Sequence, residues 1–496
     1  MREVRLSEML AAREKRAARQ QKMQVECKLP LISFAMNIAG PVKDSPLIRR
    51  SFSYGLTELE RALQGAGLRP VCRLLRRAVT GPEALFAVRG EAKKLKRLCL
   101  QVEEEKPLGR LFDLDVLDEK GVKLDRADFG KEERGCIVCG AVGRGCASRR
   151  LHSLAELQEA QERLMREHFN ELDGEQIAAR ASAALRQEVM TTPKPGLVDQ
   201  NNTGSHRDMD LGTFTRSIAA LHPFWKRFFL IGRETAGLSP AETFRELKPA
   251  GVEAEAAMRQ ATGGVNTHKG AIFTLGVICG ALGRIWPIAC EHPAWDECPV
   301  QKERPAQEEK PVRTWEQPTS WEQMVAEHIN RLLTECREMV RDAAAIDFEI
   351  LRALKEKAAE NPAVAAAVTP LSHGETTYLR FGLTGARGEA AAGFPALTET
   401  ALPILREGLA KGKSLNDAAA VALIHLIARG EDTNLITRGG REGAAWATEA
   451  ARYLIRQNPF PSIETIVVLD RAFCDLNLSP GGCADLLALA LFLREF

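Results

Sequence analysis

Five short segments rich in glycine and polar residues interrupt the alanine- and leucine-rich second half of the chain. They are 193–199, 264–270, 382–389, 432–440 and 477–482. Glycine lets a backbone approach a ligand closely, and free N–H groups at a helix start attract phosphate. The Asp, Glu, His, Lys and Arg residues among them could supply metal binding, proton transfer and charge neutralisation. Together these segments predict a site for a large, anionic, nucleotide-like substrate.

Cations and hydrogen-bond donors within or next to these segments are the candidates for binding that substrate: Lys194, His206, Asn266, Thr267, His268, Lys269, Arg387, Asn434 and Arg438. Carboxylates are the candidates for a general base or a metal ligand: Asp199, Asp208, Glu389 and Asp432. Asp199 and Asp208 would hold Mg²⁺. Helix capping is the alternative for each carboxylate, and Asp208 or Asp210 could cap a helix that begins near Leu211.

A second candidate site lies in the first third of the chain, in the segment 109–116. On a strand Asp113 and Asp115 point the same way, about 7 Å apart. Two such carboxylates can hold Mg²⁺ that is also bound to phosphates, as in nucleotidyltransferases. Lys43, Arg49 and Arg50 flank a predicted helix start and could meet those phosphates. A solvated basic turn is the alternative.

Cysteine spacing indicates a zinc site further along the first third. Three cysteines precede a histidine, in the order Cys136, Cys139, Cys146 and His152. Thiolates and an imidazole are the ligands of structural zinc sites. Small buried cysteines are the alternative.

Composition limits the classes of function. The 496 residues predict at least two domains, and the net charge of +2 gives no global reason to bind nucleic acid or an acidic membrane. The charged N-terminus lacks the apolar core of a secretory signal, and no apolar stretch reaches the roughly 20 residues of a membrane span. We therefore expect a cytoplasmic protein with reduced cysteines.

The pattern of the first third predicts an α+β domain that ends near residue 170. A charged helix spans 6–26, and a helix with Ser45 at its N-cap runs to about Gly65. A charged helix at Leu154–His168 ends the domain or connects it to the next. The predicted strands are Leu29–Ile38, Ala84–Val88, Leu95–Val102 and Arg110–Leu117.

From about residue 176 onward, apolar residues recur at steps of three and four, which predicts an all-α domain. A stretch rich in Pro, Glu and Gln at 286–320 predicts a flexible insertion. The expected helices are 177–190, 253–261, 270–285, 321–345, 402–411, 415–429, 442–456 and 484–494.

The first part of the chain resembles apo-citrate lyase phosphoribosyl-dephospho-CoA transferases. The segments that carry the resemblance are 40–45, 109–116 and 134–152, within residues 1–170. The resemblance implies a nucleotidyltransferase-like domain in which Asp113 and Asp115 bind the metal. It also implies a partner, the apo form of the citrate lyase acyl carrier protein, which receives phosphoribosyl-dephospho-CoA on a serine as diphosphate leaves.

Residues 177–496 resemble triphosphoribosyl-dephospho-CoA synthases, a family that includes a malonate decarboxylase counterpart. The segments 194–199, 264–270, 382–389 and 432–440 occur in that family's order. The resemblance implies that ATP and 3'-dephospho-CoA react to give the triphosphoribosyl product and adenine. A bifunctional transferase would then make a prosthetic group and attach it.

One alternative remains open from the residues alone. The helical part could be a Mg²⁺-dependent hydrolase of ADP-ribose-like substrates, and the first part a zinc-stabilised adaptor for a carrier protein. Adenine released only in the presence of dephospho-CoA would favour the synthase.

Overall fold

A computed structural model describes residues 2–141, 146, 149, 151–286, 321–360 and 373–494. The described residues form two compact units, the first ending at Leu172 and the second beginning at Asp173. The boundary lies inside one continuous helix, Leu154–Met190. The insertion expected at 286–320 lies, from residue 287 onward, outside the described residues.

The first unit combines helices with one antiparallel sheet, as the α+β prediction required. The sheet has the strand order β2-β3-β1-β4. Its elements are α1 Leu6–Cys27, β1 Leu31–Met36, α2 Pro46–Gly65, β2 Pro70–Arg76, β3 Glu83–Val88, α3 Ala92–Glu105 and β4 Phe112–Leu117, and α4 Leu154–Met190 follows.

The two faces of the sheet differ, which explains the alternating pattern of β4. One face packs against α2 and α3 around Phe34, Phe52 and Phe112, all fully buried. Leu114 and Val116 join this core, whereas Asp113 and Asp115 point to the other face. Asp113 and Asp115 therefore lie on one face of a strand, as predicted.

One predicted strand is wrong, because residues Leu95–Val102 belong to helix α3. Leu95, Cys99 and Val102 are buried at steps of four and three, which is a helical period that a short apolar run conceals. Strand β2 was not predicted, since Arg73 and Arg76 interrupt its apolar residues at the edge of the sheet.

The second unit consists of helices joined by loops, with no strand among its described residues, as the all-α prediction required. The expected helices at Leu154–His168 and 177–190 are both parts of α4. Its further helices are α5 Leu211–Glu234, α6 Pro240–Thr262, α7 Lys269–Ile285, α8 Trp321–Glu360, α9 His373–Phe381, α10 Gly385–Ala391, α11 Leu402–Ala410, α12 Leu415–Arg429, α13 Thr433–Gln457, α14 Ile463–Asp475 and α15 Gly481–Leu493.

Four of these helices have no predicted range: α5, of which only the start near Leu211 was expected, and α9, α10 and α14. None of the helices in the described part of the chain has the length and hydropathy needed to cross a bilayer.

Glycines allow α5 and α7 to touch backbone to backbone in the centre of the helical unit. A β-carbon on Gly232 would lie 1.9 Å from the carbonyl oxygen of Gly280, and one on Gly283 would lie 2.0 Å from that of Phe229. Side chains at these positions would force the helices apart. Because α7 begins at one of the polar segments, this contact also holds that segment in place.

We predict that Gly283→Ala lowers the free energy of unfolding by about 2–3 kcal/mol, because the new methyl group meets backbone that cannot yield. The measurement is the urea midpoint followed by circular dichroism. Gly251→Ala is the matched control, since a β-carbon there meets nothing within 4 Å. It should be neutral or stabilise by up to about 1 kcal/mol. Equal midpoints for Gly283→Ala and the unmodified chain would contradict the close contact.

Candidate functional site

In the first unit, Asp113 and Asp115 form an acidic pair beside several cations. Loss of surrounding water and then the charge of Asp115 raise the pKa of the Asp113 carboxyl. Lys123, on the segment that returns after β4, donates from Nζ to Oδ1 of Asp115 at 2.7 Å. Arg134 donates to the carbonyl oxygen of Phe112 at 2.6 Å, immediately before Asp113. The two carboxylates can hold a divalent cation, and the repulsion between them would fall when the cation binds.

The three predicted phosphate-binding cations of this unit already have partners within the protein. Lys43 donates to the carbonyl oxygen of Ile38, and burial followed by the charge of Arg13 lowers its pKa. Arg49 donates from Nε to Asp44 at 2.7 Å. The guanidinium of Arg50 lies over the Phe169 ring, 4.1 Å from its centroid.

The predicted zinc ligands Cys136, Cys139, Cys146 and His152 come together. One ligand atom from each lies within 4.8 Å of all the others. The sulfurs of Cys139 and Cys146 are 3.4 Å apart, close to the about 3.8 Å that two thiolates span on tetrahedral zinc. Nε2 of His152 is buried and has no hydrogen-bond partner among the described residues. The donor set and its spacing therefore fit zinc.

In the second unit the polar segments contact one another, and the fifth is the hub. A β-carbon on Gly196 in the first segment would lie 2.0 Å from the carbonyl oxygen of Leu478. One on Gly270 in the second would lie 1.8 Å from the carboxylate of Asp485, just after the fifth segment.

The third and fourth segments complete this junction. A β-carbon on Gly385 would lie 3.4 Å from Thr433, which links the third segment to the fourth. A carboxylate oxygen of Asp432 accepts from the backbone N–H of Cys483 at 2.8 Å, which links the fourth to the end of the fifth. The five segments are thus linked into one network, the second through Asp485 and the third through Thr433.

Lys194 and Glu188 form a buried ion pair at the first segment. Nζ of Lys194 donates to Oε1 of Glu188 at 2.5 Å, and the two side chains are 2% and 5% exposed. Asp199 accepts from the backbone N–H groups of Lys194, Asn201 and Asn202. Both oxygens of Asp199 therefore hold the loop. A metal ion bound there would have to share these oxygens with the backbone N–H groups.

His206 follows that loop and contacts the fifth segment. Its Nε2 lies 2.8 Å from the hydroxyl of Ser479. Burial, and secondly the charge of Arg438, lower its pKa to about 4, so the imidazole is neutral near pH 7. Asp208 is exposed, 3.9 Å from Nδ1 of His206. Asp210 caps α5 by accepting from the N–H of Thr213 at 2.7 Å, so capping explains this residue.

The second segment begins α7, and its polar side chains already have partners within the protein. Asn266 accepts from the backbone N–H of Lys269 at 3.2 Å, and Nζ of Lys269 lies 3.2 Å from Glu255. Thr267 donates to the hydroxyl of Ser217 at 2.8 Å. His268 is buried, and its Nδ1 is 2.7 Å from the same hydroxyl.

Asp485 reaches the start of α7 because residue 270 is glycine. Its carboxylate accepts from the backbone N–H of Ala271. Burial, then the charges of Glu188 and Asp432, raise its pKa well above the ordinary aspartate value. The site thus contains a carboxylate that is a stronger base than an exposed aspartate.

Arg387 and Glu389 are the charged residues of the third segment. Arg387 lies 3.2 Å from Asp347 and 3.9 Å from Glu375. Glu389 accepts from the backbone N–H of Ala396 at 2.6 Å, and burial is the main cause of its raised pKa.

Arg387 also lines an apolar cavity of about 580 Å³, whose wall includes Phe244, Phe273 and Glu255. Glu255 is the partner of Lys269. The cavity therefore adjoins cations from two of the polar segments.

The fourth segment begins α13. Asp432 caps this helix by accepting from the N–H groups of Asn434 and Leu435, and burial raises its pKa. The side chain of Asn434 lies against Gly481 of the fifth segment. Arg438 is exposed and donates to the carbonyl oxygen of Ser205 at 3.0 Å.

Several residues of these sites were not predicted. Asp470 accepts from the N–H of Gly196 at 2.9 Å and from the amide of Asn202 at 3.0 Å. It lies on the same helix face as the buried Ile466 and Phe473, and a carboxylate on an apolar stripe is a signal that could have identified it. Glu188 carries the same signal, because it follows the buried Ala184 and Leu185 at steps of four and three. Ser217 and Lys123 meet their partners only through the fold.

Comparison with known protein families divides the chain into an N-terminal and a C-terminal match. Residues 4–168 match the family described as apo-citrate lyase phosphoribosyl-dephospho-CoA transferase. Residues 174–496 match the family described as ATP:dephospho-CoA triphosphoribosyl transferase.

Three relatives illustrate the match. Protein CitXG of Haemophilus influenzae is 34% identical over 99% of this chain and 96% of its own length. The 2-(5''-triphosphoribosyl)-3'-dephosphocoenzyme-A synthase of Pectobacterium atrosepticum is 36% identical over 67% of this chain and 91% of its own length. A probable synthase of the same kind from Vibrio cholerae is 38% identical over 63% of this chain and 85% of its own length. The chain therefore belongs to the CitXG type of bifunctional transferase, in which an apo-citrate lyase phosphoribosyl-dephospho-CoA transferase precedes an ATP:dephospho-CoA triphosphoribosyl transferase.

Proposed function

We propose that this chain makes the prosthetic group of citrate lyase and attaches it, each step using one part of the chain. Residues 177–496 would convert ATP and 3'-dephospho-CoA to 2'-(5''-triphosphoribosyl)-3'-dephospho-CoA and adenine. Residues 1–170 would transfer phosphoribosyl-dephospho-CoA to a serine of the apo acyl carrier subunit and release diphosphate. The observation that carries the first step is the network of contacts that links the five polar segments, in which Asp485 connects the second segment to the rest.

The synthase step exchanges a bond at the ribose C1 of ATP. The 2'-hydroxyl oxygen of dephospho-CoA bonds to C1, and the bond from C1 to adenine breaks with its electron pair leaving on adenine. The hydroxyl proton goes to a base, and adenine takes up a proton. Such a step has oxocarbenium character, so a placed carboxylate and cations around the triphosphate accelerate it.

The exposed or half-exposed cations Lys269, Arg387 and Arg438 suit the triphosphate, since each can exchange its protein partner for a phosphate oxygen. Lys194 is buried and paired with Glu188, so its ammonium group holds the interior of the site and does not contact the triphosphate directly. The apolar cavity beside Arg387 offers a wall for the less polar part of dephospho-CoA.

Asp485 is the general base in this proposal. Asp199 and Asp432 each accept several backbone N–H groups, which oppose the rise in pKa that burial causes and give these carboxylates a loop-holding role. Glu389 keeps one oxygen for the loop at Ala396, and Asp208 lies exposed beside His206. Asp485 combines a raised pKa with a place at the junction of the segments.

We predict that Asp485→Asn lowers adenine release by about 100-fold or more, since the amide cannot accept the hydroxyl proton. The amide oxygen can still accept from Ala271, and the repulsion with Glu188 and Asp432 is removed. The urea midpoint should therefore not fall. Asp475→Asn, at an exposed residue, is the matched control. Retained adenine release in Asp485→Asn would exclude this residue as the base.

In the transfer step the serine oxygen of the carrier bonds to the phosphorus next to the ribose, and the bond to diphosphate breaks. Mg²⁺ held by Asp113 and Asp115 would neutralise the phosphates when bound. Lys123 and Arg134 lie beside the acidic pair and could bind the leaving diphosphate. The pKa of the Asp113 carboxyl is raised in the absence of a cation. A bound cation would favour the ionised carboxylate.

We predict that Asp113→Asn abolishes transfer but leaves adenine release unchanged. The intact mass of the apo acyl carrier protein, incubated with ATP, dephospho-CoA, Mg²⁺ and this protein, measures attachment. The unmodified chain should add phosphoribosyl-dephospho-CoA to the carrier. Glu119→Gln, at an exposed residue just beyond β4, is the control and should behave like the unmodified chain. Full attachment by Asp113→Asn would remove this pair from the mechanism.

The same incubation separates the hydrolase and adaptor alternative. A hydrolase would act on ATP without dephospho-CoA, and an adaptor would leave the carrier mass unchanged. Both matched families are transferases, which supports synthesis followed by transfer.

Zinc at Cys136, Cys139, Cys146 and His152 is part of the proposal. The loop that bears these ligands is tied to the acidic pair's strand, because Arg110 donates to the carbonyl oxygen of Gly135. Arg134, one residue earlier, donates to Phe112. A bound zinc ion would thus hold Arg134 next to Asp113.

We predict one zinc ion per chain by metal analysis. His152→Ala and Cys139→Ser should each lose most of that zinc, because three ligands bind more weakly than four. Cys474→Ser, a half-buried cysteine of the helical unit, is the control and should keep it. Full zinc content in His152→Ala would exclude this histidine as a ligand.

A further inference from the structure

His268 is held in one orientation by neighbours from two other elements. Its Nδ1 lies 2.7 Å from the hydroxyl of Ser217 on α5, and its backbone N–H donates to the sulfur of Met258 on α6. The Phe214 ring lies edge-on to the imidazole, 5.0 Å between centroids. The imidazole therefore has a fixed plane and a fixed direction.

The hydroxyl chain favours one tautomer of His268. Thr267 donates a hydrogen bond to the hydroxyl oxygen of Ser217 at 2.8 Å. Ser217 keeps its own proton to donate, and in this arrangement Nδ1 of His268 accepts it. The remaining proton of a neutral imidazole then lies on Nε2.

Nε2 is left as an unused donor. His268 is 2% exposed, and Nε2 has no hydrogen-bond partner in the part of the chain that the structure describes. An unpaired N–H in the interior costs free energy, so such a group in a polar junction indicates an absent partner.

The imidazole is neutral when it meets that partner. Burial, and secondly the positive charge of Lys194, lower the pKa of His268 to about 3. Lys194 is the charged group that acts on it, and Lys194 is itself paired with Glu188. His268 therefore stays uncharged at neutral pH and down to a pH near 3, so it cannot serve as an imidazolium acid.

We propose that His268 donates a hydrogen bond from Nε2 to a ring nitrogen of the adenine that leaves ATP, with Ser217 and Thr267 as positioning residues. The inference rests on the proposed synthase reaction. Exposed cations suit the phosphates, whereas a neutral donor in a dry interior suits a neutral acceptor. As the bond from C1 breaks, negative charge grows on adenine, and a fixed donor stabilises it without transferring its proton.

Side-chain replacements separate a donor at Nε2 from other roles. Gln can place an amide N–H near the position of Nε2, whereas Asn places one near Nδ1. His268→Gln should release adenine within about tenfold of the unmodified chain, and His268→Asn should fall by about 100-fold or more. Ser217→Ala should fall by about tenfold, because the tautomer is no longer selected. Thr215→Ala, at an exposed residue of the same helix, is the control and should not change.

ATP analogues with carbon in place of one ring nitrogen supply the decisive test. Either 3-deaza-ATP or 7-deaza-ATP should react about 10–100-fold more slowly than ATP with the unmodified chain, as expected for one lost hydrogen bond of about 1.4–2.7 kcal/mol. With His268→Asn the same analogue should show a loss at least about tenfold smaller than with the unmodified chain, because only the intrinsic difference in the leaving base remains. A full analogue penalty in His268→Asn, or equal loss in the Gln and Asn variants, would overturn the inference.

The role of His268 and the proposed reaction are tested by different measurements. Adenine release by the unmodified chain with ATP and dephospho-CoA tests the reaction itself. Urea midpoints equal to that of the unmodified chain show that the variants fold. A reaction that proceeds with unchanged analogue discrimination in His268→Asn would contradict only the role of His268.

Discussion

Buried carboxylates that accept backbone N–H groups are the constraint on which the helical site depends. Asp199, Asp432 and Asp470 each bind loop N–H groups, and Asp485 binds the N–H of Ala271 at the start of α7. A carboxylate in the interior is costly unless such donors compensate it. The loops of the helical site are therefore held to one another by buried carboxylates.

Glycine makes this bracing sterically feasible. Gly270 leaves room for Asp485, and Gly196 leaves room for the backbone at Leu478. Because these contacts join loops that are distant in sequence, a change at one should be felt at the others. The cations Lys269, Arg387 and Arg438 do not bind these four carboxylates. Lys269 and Arg387 pair with other carboxylates, Arg438 donates to a carbonyl oxygen, and all three lie near the surface, where a triphosphate can reach them.

The sequence predicts features that depend on neighbouring residues better than features that depend on residues far apart in the chain. The alternation of Phe112, Asp113, Leu114 and Asp115 is local, and it predicted both the strand and the shared face of the carboxylates. The helical periods of the second unit are local too. Leu95–Val102 failed because an apolar run of that length fits either period.

The partners of the site residues are not encoded locally. Glu188 and Lys194 meet across a helix end, and Ser217 reaches His268 from another helix. Cys136, Cys139, Cys146 and His152 are an intermediate case, since metal-ligand spacing is a sequence signal that the fold then brings within 4.8 Å. Long-range pairing also determines how many backbone N–H groups each buried carboxylate accepts.

The central claim is that the five polar segments form one substrate site. Hydrogen–deuterium exchange with and without ATP and dephospho-CoA tests it most directly. The account predicts that peptides covering 193–199, 264–270, 382–389, 432–440 and 477–482 become protected together. Protection of only one segment, or of helices remote from all five, would contradict it.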